Sequence, residues 1–321
     1  MDNTPVIIGV DLGATFVRVG LFTQEGESLD FKIIQLDAER KVDTSVRRTI
    51  ELIEKILKDN NSPHLLGIGT GSTGPVNPID GTIISPYTDP AWQFVPYIQP
   101  LEDHFRVPCV LENDADAAAL GEFWKGAGQN VSRLLAVTVG TGIGTALIVD
   151  GRIYQGMNGL HPEGGHHIVD PAGPECYCGV HGCWESLASG EALTAFSRQQ
   201  AQNNPAWLRE LGLDDVRFVD GASVSQAARQ GNQLAMQIMQ REAHYLSIGL
   251  INMMAVYVPE RIVLSGGVMK SYDLLEATIQ NTLKRSNPMI PASQVQIMPA
   301  KLGYFAGAIG AAFALKQATQ I

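Results

Sequence analysis

Cysteine is scarce in this chain: four residues in 321, three of them crowded into positions 176–183. That is no secreted disulfide framework. No Gly-Lys pair occurs anywhere, so a G-x-x-x-x-G-K-[ST] phosphate loop is excluded. No clear strand–G-x-G-x-x-G–helix unit is present either, which argues against a dinucleotide fold. Basic runs are missing, and the formal net charge is -10, so a nucleic-acid footprint is not expected. The most apolar stretches, such as LSIGLINMMAVYV, fall short of the roughly 20 residues a membrane span needs. The opening MDNTPVIIGVD lacks a basic region and meets Asp11 early, so no secretory leader is expected. A cytoplasmic protein without membrane or nucleic-acid partners is the expectation.

Glycine, by contrast, is abundant at 33 residues, and many glycines sit in short clusters between apolar runs. The length favours two domains, and 45% apolar residues supply material for two cores. PVIIGVDLGATFVRVGLF reads as two strands around a glycine turn, with Val17, Val19 and Leu21 alternating. Residues 44–58 read as an amphipathic helix capped by Thr44 or Ser45, with Val46, Ile50, Ile53 and Leu57 on one stripe. HLLGIGTGSTGPVNPIDGTIIS reads as a strand, a glycine-rich turn and a hairpin. VPCVLENDADAAALGEFWKGAG is a strand entering an Ala-rich helix at Asn113 and Asp114. LLAVTVGTGIGTALIV then repeats the opening strand–turn–strand theme, which suggests a duplicated architecture. Residues 190–258 read as helical, broken near NNPAW and DGAS. RIVLSGGVM is a further strand ending in glycines, and YFAGAIGAAFALKQA a closing helix with a small-residue face. Alternating strands and helices define the α/β class.

Two turns attract chemistry: Asp11-Leu-Gly13-Ala-Thr15 and Gly140-Thr141-Gly142-Ile-Gly144-Thr145. Each can aim backbone N–H groups and threonine hydroxyls at an anion. Alone, each is equally an ordinary tight hairpin. The matched pair, with Asp11 beside the first, points to a nucleotide whose Mg²⁺ bridges Asp11 to phosphate through water. Asp114, where a strand yields to a helix, meets amide donors and the positive end of the dipole and is expected to be ionised. It reads either as an N-cap or as a base accepting a hydroxyl proton during phosphoryl transfer. Asn113 offers a donor and an acceptor suited to sugar hydroxyls.

His166, Cys176, Cys178 and Cys183 form an H-x₉-C-x-C-x₄-C pattern. Three thiolates and an imidazole suit a tetrahedral structural Zn²⁺; a redox pair or buried free thiols are the other readings. His161, His167 and His181 are rivals for the fourth ligand. Such a knot would hold Glu163, His166 and Glu185 together around a polyhydroxylated ligand.

These residues together resemble the ROK sugar kinases. The resemblance rests on Asp11-x-Gly-x-Thr15 with Arg18, Gly71-Ser-Thr-Gly74-Pro-Val-Asn77, Glu112-Asn113-Asp114, the Gly140–Gly144 turn, Glu163-x-x-His166 and Cys176-x-Cys-Gly-x-x-Gly-Cys183-x-Glu185. It implies a two-domain actin-like, hexokinase-like ATPase fold with a central cleft, divided as 1–114 plus about 300–321, and 115–299 carrying the zinc motif. It implies ATP with Mg²⁺ as donor and phosphorylation of the 6-hydroxyl of an aldohexose, glucose first. N-acetylmannosamine, N-acetylglucosamine, fructose and allose are alternative sugars, and a sugar-sensing regulator is a further alternative. Family regulators carry a helix-turn-helix module, for which a first strand at about Val6 leaves no room. Carried over, Asp114 is the catalytic base. Gly74, Asn77, Asn113, Asp114, Glu163, His166 and Glu185 bind sugar. Asp11, Gly13, Thr15, Thr141, Gly142, Gly266 and Gly267 contact ATP. His166, Cys176, Cys178 and Cys183 hold Zn²⁺. A homodimer is implied. Three departures stand out: Asp116 where the family often has Asn, Pro162 before Glu163, and Pro86-Tyr87-Thr88-Asp89-Pro90-Ala91 before Trp92.

Overall fold

In the computed structural model, residues 5–13, 15–36, 41–84, 92–286, 288–289 and 292–320 are described. The stretch from Pro86 to Ala91 lies outside them. The chain opens with strands β1 (Val6–Leu12), β2 (Phe16–Thr23) and β3 (Ser28–Gln35), helix α1 (Val42–Asp59) and strand β4 (Leu65–Ser72). Short strands β5 (Val76–Asn77), β6 (Thr82–Ile83) and β7 (Val95–Pro96) precede helix α2 (Ile98–Phe105), strand β8 (Cys109–Asn113) and helix α3 (Asp114–Lys125). Strands β9 (Arg133–Val139), β10 (Ile143–Val149) and β11 (Arg152–Ile153) follow. Then come α4 (Trp184–Ala188), α5 (Gly190–Asn203), α6 (Pro205–Glu210), α7 (Gly221–Arg229), α8 (Gln233–Tyr257), β12 (Arg261–Ser265), α9 (Tyr272–Lys284), β13 (Gln296–Pro299) and α10 (Ala306–Thr319).

Two compact units result: Met1–Leu134 with Ala146–Pro162 and Ala300–Ile321, and Leu135–Thr145 with Glu163–Pro299. The first unit therefore runs past residue 114 and takes in α3. Helix α3 packs on α10 within it, through backbone surfaces that touch: a Cβ on Gly310 would overlap the Ala117 carbonyl, and one on Gly121 the Ala306 carbonyl. We expect Gly310→Ala to destabilise this unit by about 1–3 kcal/mol through forced separation of the two helices, read as a lower melting temperature. An unchanged melting temperature would contradict so tight an approach.

Two five-stranded sheets share one plan, ordered β3-β2-β1-β4-β8 and β11-β10-β9-β12-β13. Each begins with a hairpin around a glycine turn, the repeat expected from the sequence. In the first, β1 pairs antiparallel with β2 and parallel with β4, and β4 runs parallel to β8. Its core holds Ile8, Val10, Val17 and Val19 against Ile53 and Ile56 of α1. Helix α1 starts earlier than expected, at Val42, with Lys41 at the N-cap and no side-chain cap. Ser45 and Thr49 are instead buried inside it, and the Tyr97 hydroxyl donates to Thr49 Oγ1 at 2.8 Å. In the second unit the helical region breaks as expected, with Pro205 opening α6 and Asp220 capping α7.

Candidate active site

In the first unit, strand register lines up the chemistry. Arg18 on β2, Asp11 on β1, Gly71 on β4 and Glu112 on β8 form one row across the sheet near the carboxyl ends of its parallel strands. Open α/β sheets present ligand groups at such ends. Arg18 Nη1 donates to Asp11 Oδ2 at 2.8 Å. Burial raises the Asp11 pKa, and Arg18 pulls it back. Gly13 N donates to Phe16 O at 3.0 Å, closing the turn that carries Thr15.

One residue beyond the row, β8 becomes α3. The cap here is Asn113, not Asp114: Asn113 Oδ1 accepts from Ala115 N at 2.8 Å and Asp116 N at 3.3 Å. Its oxygen is therefore occupied, and its amide Nδ2 lies against Gly74, where a Cβ would come within 2.8 Å. Asp114 Oδ1 accepts from Ala115 N at 2.9 Å. Burial first, then the charge of Asp11, pushes the Asp114 pKa up to about 6; the Ala115 amide, His161 and Thr73 pull it down. At neutral pH the group is ionised, as its helix position demands, yet more basic than an exposed aspartate. Asn77 is turned to another task, donating to Asp80 Oδ2 at 2.8 Å and accepting from Ile79 N at 3.0 Å in the β5–β6 hairpin.

In the second unit, Glu185 Oε2 accepts from Ile143 N at 2.7 Å and fills the space beside Gly142, where a Cβ would collide with it. The second glycine turn and the acidic group after the last cysteine are thus joined. Glu163 is exposed at the start of the Gly164–His166 turn. The Tyr177 hydroxyl lies 3.0 Å from His166 Nε2, and the charges of Glu185 and Glu163 bear on it. Sequence reading did not single out Tyr177; only its position between two zinc-type cysteines marked it.

A cavity of ≈ 860 Å³ opens in this unit, lined among others by Gly140, Thr141, Gly190, Gly267, Lys270 and Ser271. Its volume suits a small-molecule ligand. Gly190 N donates to Gly140 O at 2.7 Å, setting the start of α5 against the glycine turn. Gly266 holds φ +96 directly after β12, with its Cα packed on Val139, a conformation and a space that only glycine fits.

The cysteine knot brings one donor atom from each of His166, Cys176, Cys178 and Cys183 within 4.8 Å of one another. Cys178 Sγ to Cys183 Sγ is 3.6 Å, and Cys176 Sγ to His166 Nδ1 is also 3.6 Å. A tetrahedral zinc with Zn–S of about 2.3 Å sets sulfur atoms roughly 3.8 Å apart, so the donor set fits that ion. The three rival histidines are engaged elsewhere. His161 Nδ1 lies 2.9 Å from Asp116 Oδ2, His167 Nδ1 2.6 Å from Gly164 O, and His181 Nδ1 3.3 Å from Gly173 O. Gly179 and Gly182 take φ +83 and +75, which the tight knot requires.

A mixed α/β chain on two like-ordered sheets, each led by a glycine-turn hairpin, has the hexokinase-like ATPase fold. The chain belongs to the ROK family, whose sequence model matches residues 7–318. A glucokinase from Halalkalibacterium halodurans is 30% identical over 313 residues, covering 97% of this chain and 94% of that one. The crystal structure of a ROK family glucokinase from Streptomyces griseus in complex with glucose and AMPPNP is 31% identical, covers 97% and 99% of the two chains, and superposes with a TM-score of 0.80. A ROK hexokinase from Thermus thermophilus is 28% identical over 98% and 100% of the chains, with a TM-score of 0.81. No helix among the described residues is long and apolar enough to cross a membrane.

Proposed function

We propose that this chain is an ATP-dependent sugar kinase that transfers the γ-phosphoryl group to the 6-hydroxyl of an aldohexose, with glucose as the preferred acceptor. The observation that carries the reading is an intact Asn113–Asp114 junction in a chain matched end to end by glucokinases. Asp114 acts as the base. It orients the acceptor hydroxyl and takes its proton as the oxygen bonds to phosphorus, a step that asks only for a carboxylate ionised at working pH. The pKa near 6 keeps it ionised at neutral pH and raises its basicity. ATP enters as its Mg²⁺ complex, both being substrate. We assign the phosphates to the backbone of the two glycine turns, with Gly13, Thr15, Thr141 and Gly142, and the nucleoside to the cavity by Gly266 and Gly267. Asp11, steadied by Arg18, faces the Mg²⁺ side of the triphosphate.

We assign sugar hydroxyls to Asn113, Glu163, His166 and Glu185. Asn113 contributes through its amide Nδ2, since its oxygen caps α3. Gly74 leaves that amide accessible. Asn77 acts indirectly, by shaping the β5–β6 turn. His166, Cys176, Cys178 and Cys183 would hold a zinc ion, whose role is to cross-link the knot. With the knot fixed, Glu163 and Glu185 keep their positions on either side of it. We place the working molecule in solution as a homodimer in the cytoplasm.

The test is initial rates with Mg·ATP on glucose, fructose, allose, N-acetylglucosamine and N-acetylmannosamine, with the product's phosphate located by NMR. Glucose should give the highest kcat/KM and a 6-phosphate. A higher kcat/KM on another sugar of the panel would reassign the acceptor. No transfer to any of them, with sugar binding retained, would reject the kinase reading in favour of a sensor.

A further inference from the structure

The strand row and the first turn of α3 gather four carboxyl groups: Asp11 from β1, Glu112 from β8, and Asp114 and Asp116 from α3. Two cationic-type side chains among the described residues pair with them. Arg18 is committed to Asp11, and His161, from the segment after β11, to Asp116. Asp116 is 2% exposed, and His161 Nδ1 meets its Oδ2 at 2.9 Å. The other oxygen, Oδ1, is buried with no hydrogen-bond partner among the described residues. A carboxyl group so enclosed is costly to bury without a hydrogen-bonded partner.

We propose that Asp116 and His161 form a buried carboxylate–imidazolium pair whose positive end keeps Asp114 ionised, making His161 a positioning residue that sets the acid side of the kinase's pH profile. The proposal rests on Asp114 being the base. It also explains the departure at position 116: an asparagine there could not hold a second proton on His161, and an aspartate can.

The electrostatics of the neighbours agree. Glu112 is pushed up to about 7, first by burial and then by Asp116, and His161 pulls it down. Asp114 is raised by burial and Asp11 and lowered by the Ala115 amide, His161 and Thr73. The sign follows: taking away the His161 charge raises the pKa of Asp114, so its ionised form is lost at higher pH. Arg18 does not substitute, because Asp11 engages it at 2.8 Å.

The test uses the full-length protein in three forms: wild type, His161→Gln, and the double variant Asp116→Asn with His161→Gln, which holds a neutral hydrogen-bonded pair in the same space. In wild type, ¹⁵N-detected NMR of the His161 ring should find both nitrogens protonated at pH 7; a single neutral tautomer would overturn the proposal. In kcat/KM against pH, each profile normalised to its own plateau, His161→Gln should move the acid limb upward by about half a unit. That is roughly a threefold loss below the limb. The double variant should move it upward by less, because the opposing Asp116 charge is gone as well. Superimposable normalised profiles, whatever the plateau, would overturn the proposal, since a merely structural pair lowers activity at every pH alike. The double variant covers a failure of His161→Gln to fold. The NMR measurement needs no turnover, so it decides the pair even if no sugar is phosphorylated and the kinase reading fails.

Discussion

Asp114→Asn should lower turnover by about 10²–10⁴-fold, the range a lost general base commands, while sugar affinity stays near that of wild type. The substitution is nearly isosteric. It leaves an oxygen to accept from Ala115 N, the bond that Asp114 Oδ1 makes at 2.9 Å, and Asn113 continues to cap α3. Stability should therefore hold or rise, because a buried carboxylate facing Asp11 has been neutralised. Steady-state kinetics and calorimetric titration with sugar separate the two effects. Turnover near wild type would remove Asp114 from the chemistry and leave it a helix-terminal residue.

The second large effect concerns the knot. Cys183 is fully buried, as is Trp184 after it. Trp184 N donates to His167 O at 2.9 Å, and Glu185 follows at once. Cys183→Ala removes one of four donors and should abolish stoichiometric zinc. Loss of a structural metal belongs among the largest single-site effects, about 4 kcal/mol or more. For a unit of this size that is roughly 10 °C in melting temperature. Activity should fall with it, through misplaced Glu163 and Glu185. Metal analysis and thermal melting check this: wild type should carry one zinc per chain. A wild-type protein free of metal and fully active, or a variant that melts where wild type does, would contradict the assignment.

Much of this protein was legible in its residues. The apolar run of VIIGVDL and the alternation of Val17, Val19 and Leu21 in FVRVGLF marked the first hairpin, and β1 proves buried along nearly its whole length. The Gly140–Gly144 stretch announced the second, and the crowding of Cys176, Cys178 and Cys183 pointed to a metal-type knot, because such closely spaced thiols suit a shared ion. Other features could not be read there. Capping was one: Asn113 and Asp114 are both good N-cap residues, and only the backbone path decided that Asn113 caps. Likewise Asn77 lies in a family-like motif, yet its side chain closes its own turn with Asp80. The boundary at residue 114 was another, since the helix that follows it is claimed by α10 through glycines almost 190 residues away in sequence.

By itself, then, the sequence determined the class of fold and the repeat of the glycine-turn hairpin, because local periodicity and spacing are properties of neighbours along the chain; the family entered through the resemblance of its motifs. Tertiary structure alone decided which histidine joins the cysteines and which meets Asp116. It also set the acidity of Asp114, because burial and charge depend on what other segments bring alongside. On paper His161 was a rival metal ligand; in the fold its Nδ1 lies 2.9 Å from the buried Asp116 carboxyl group instead.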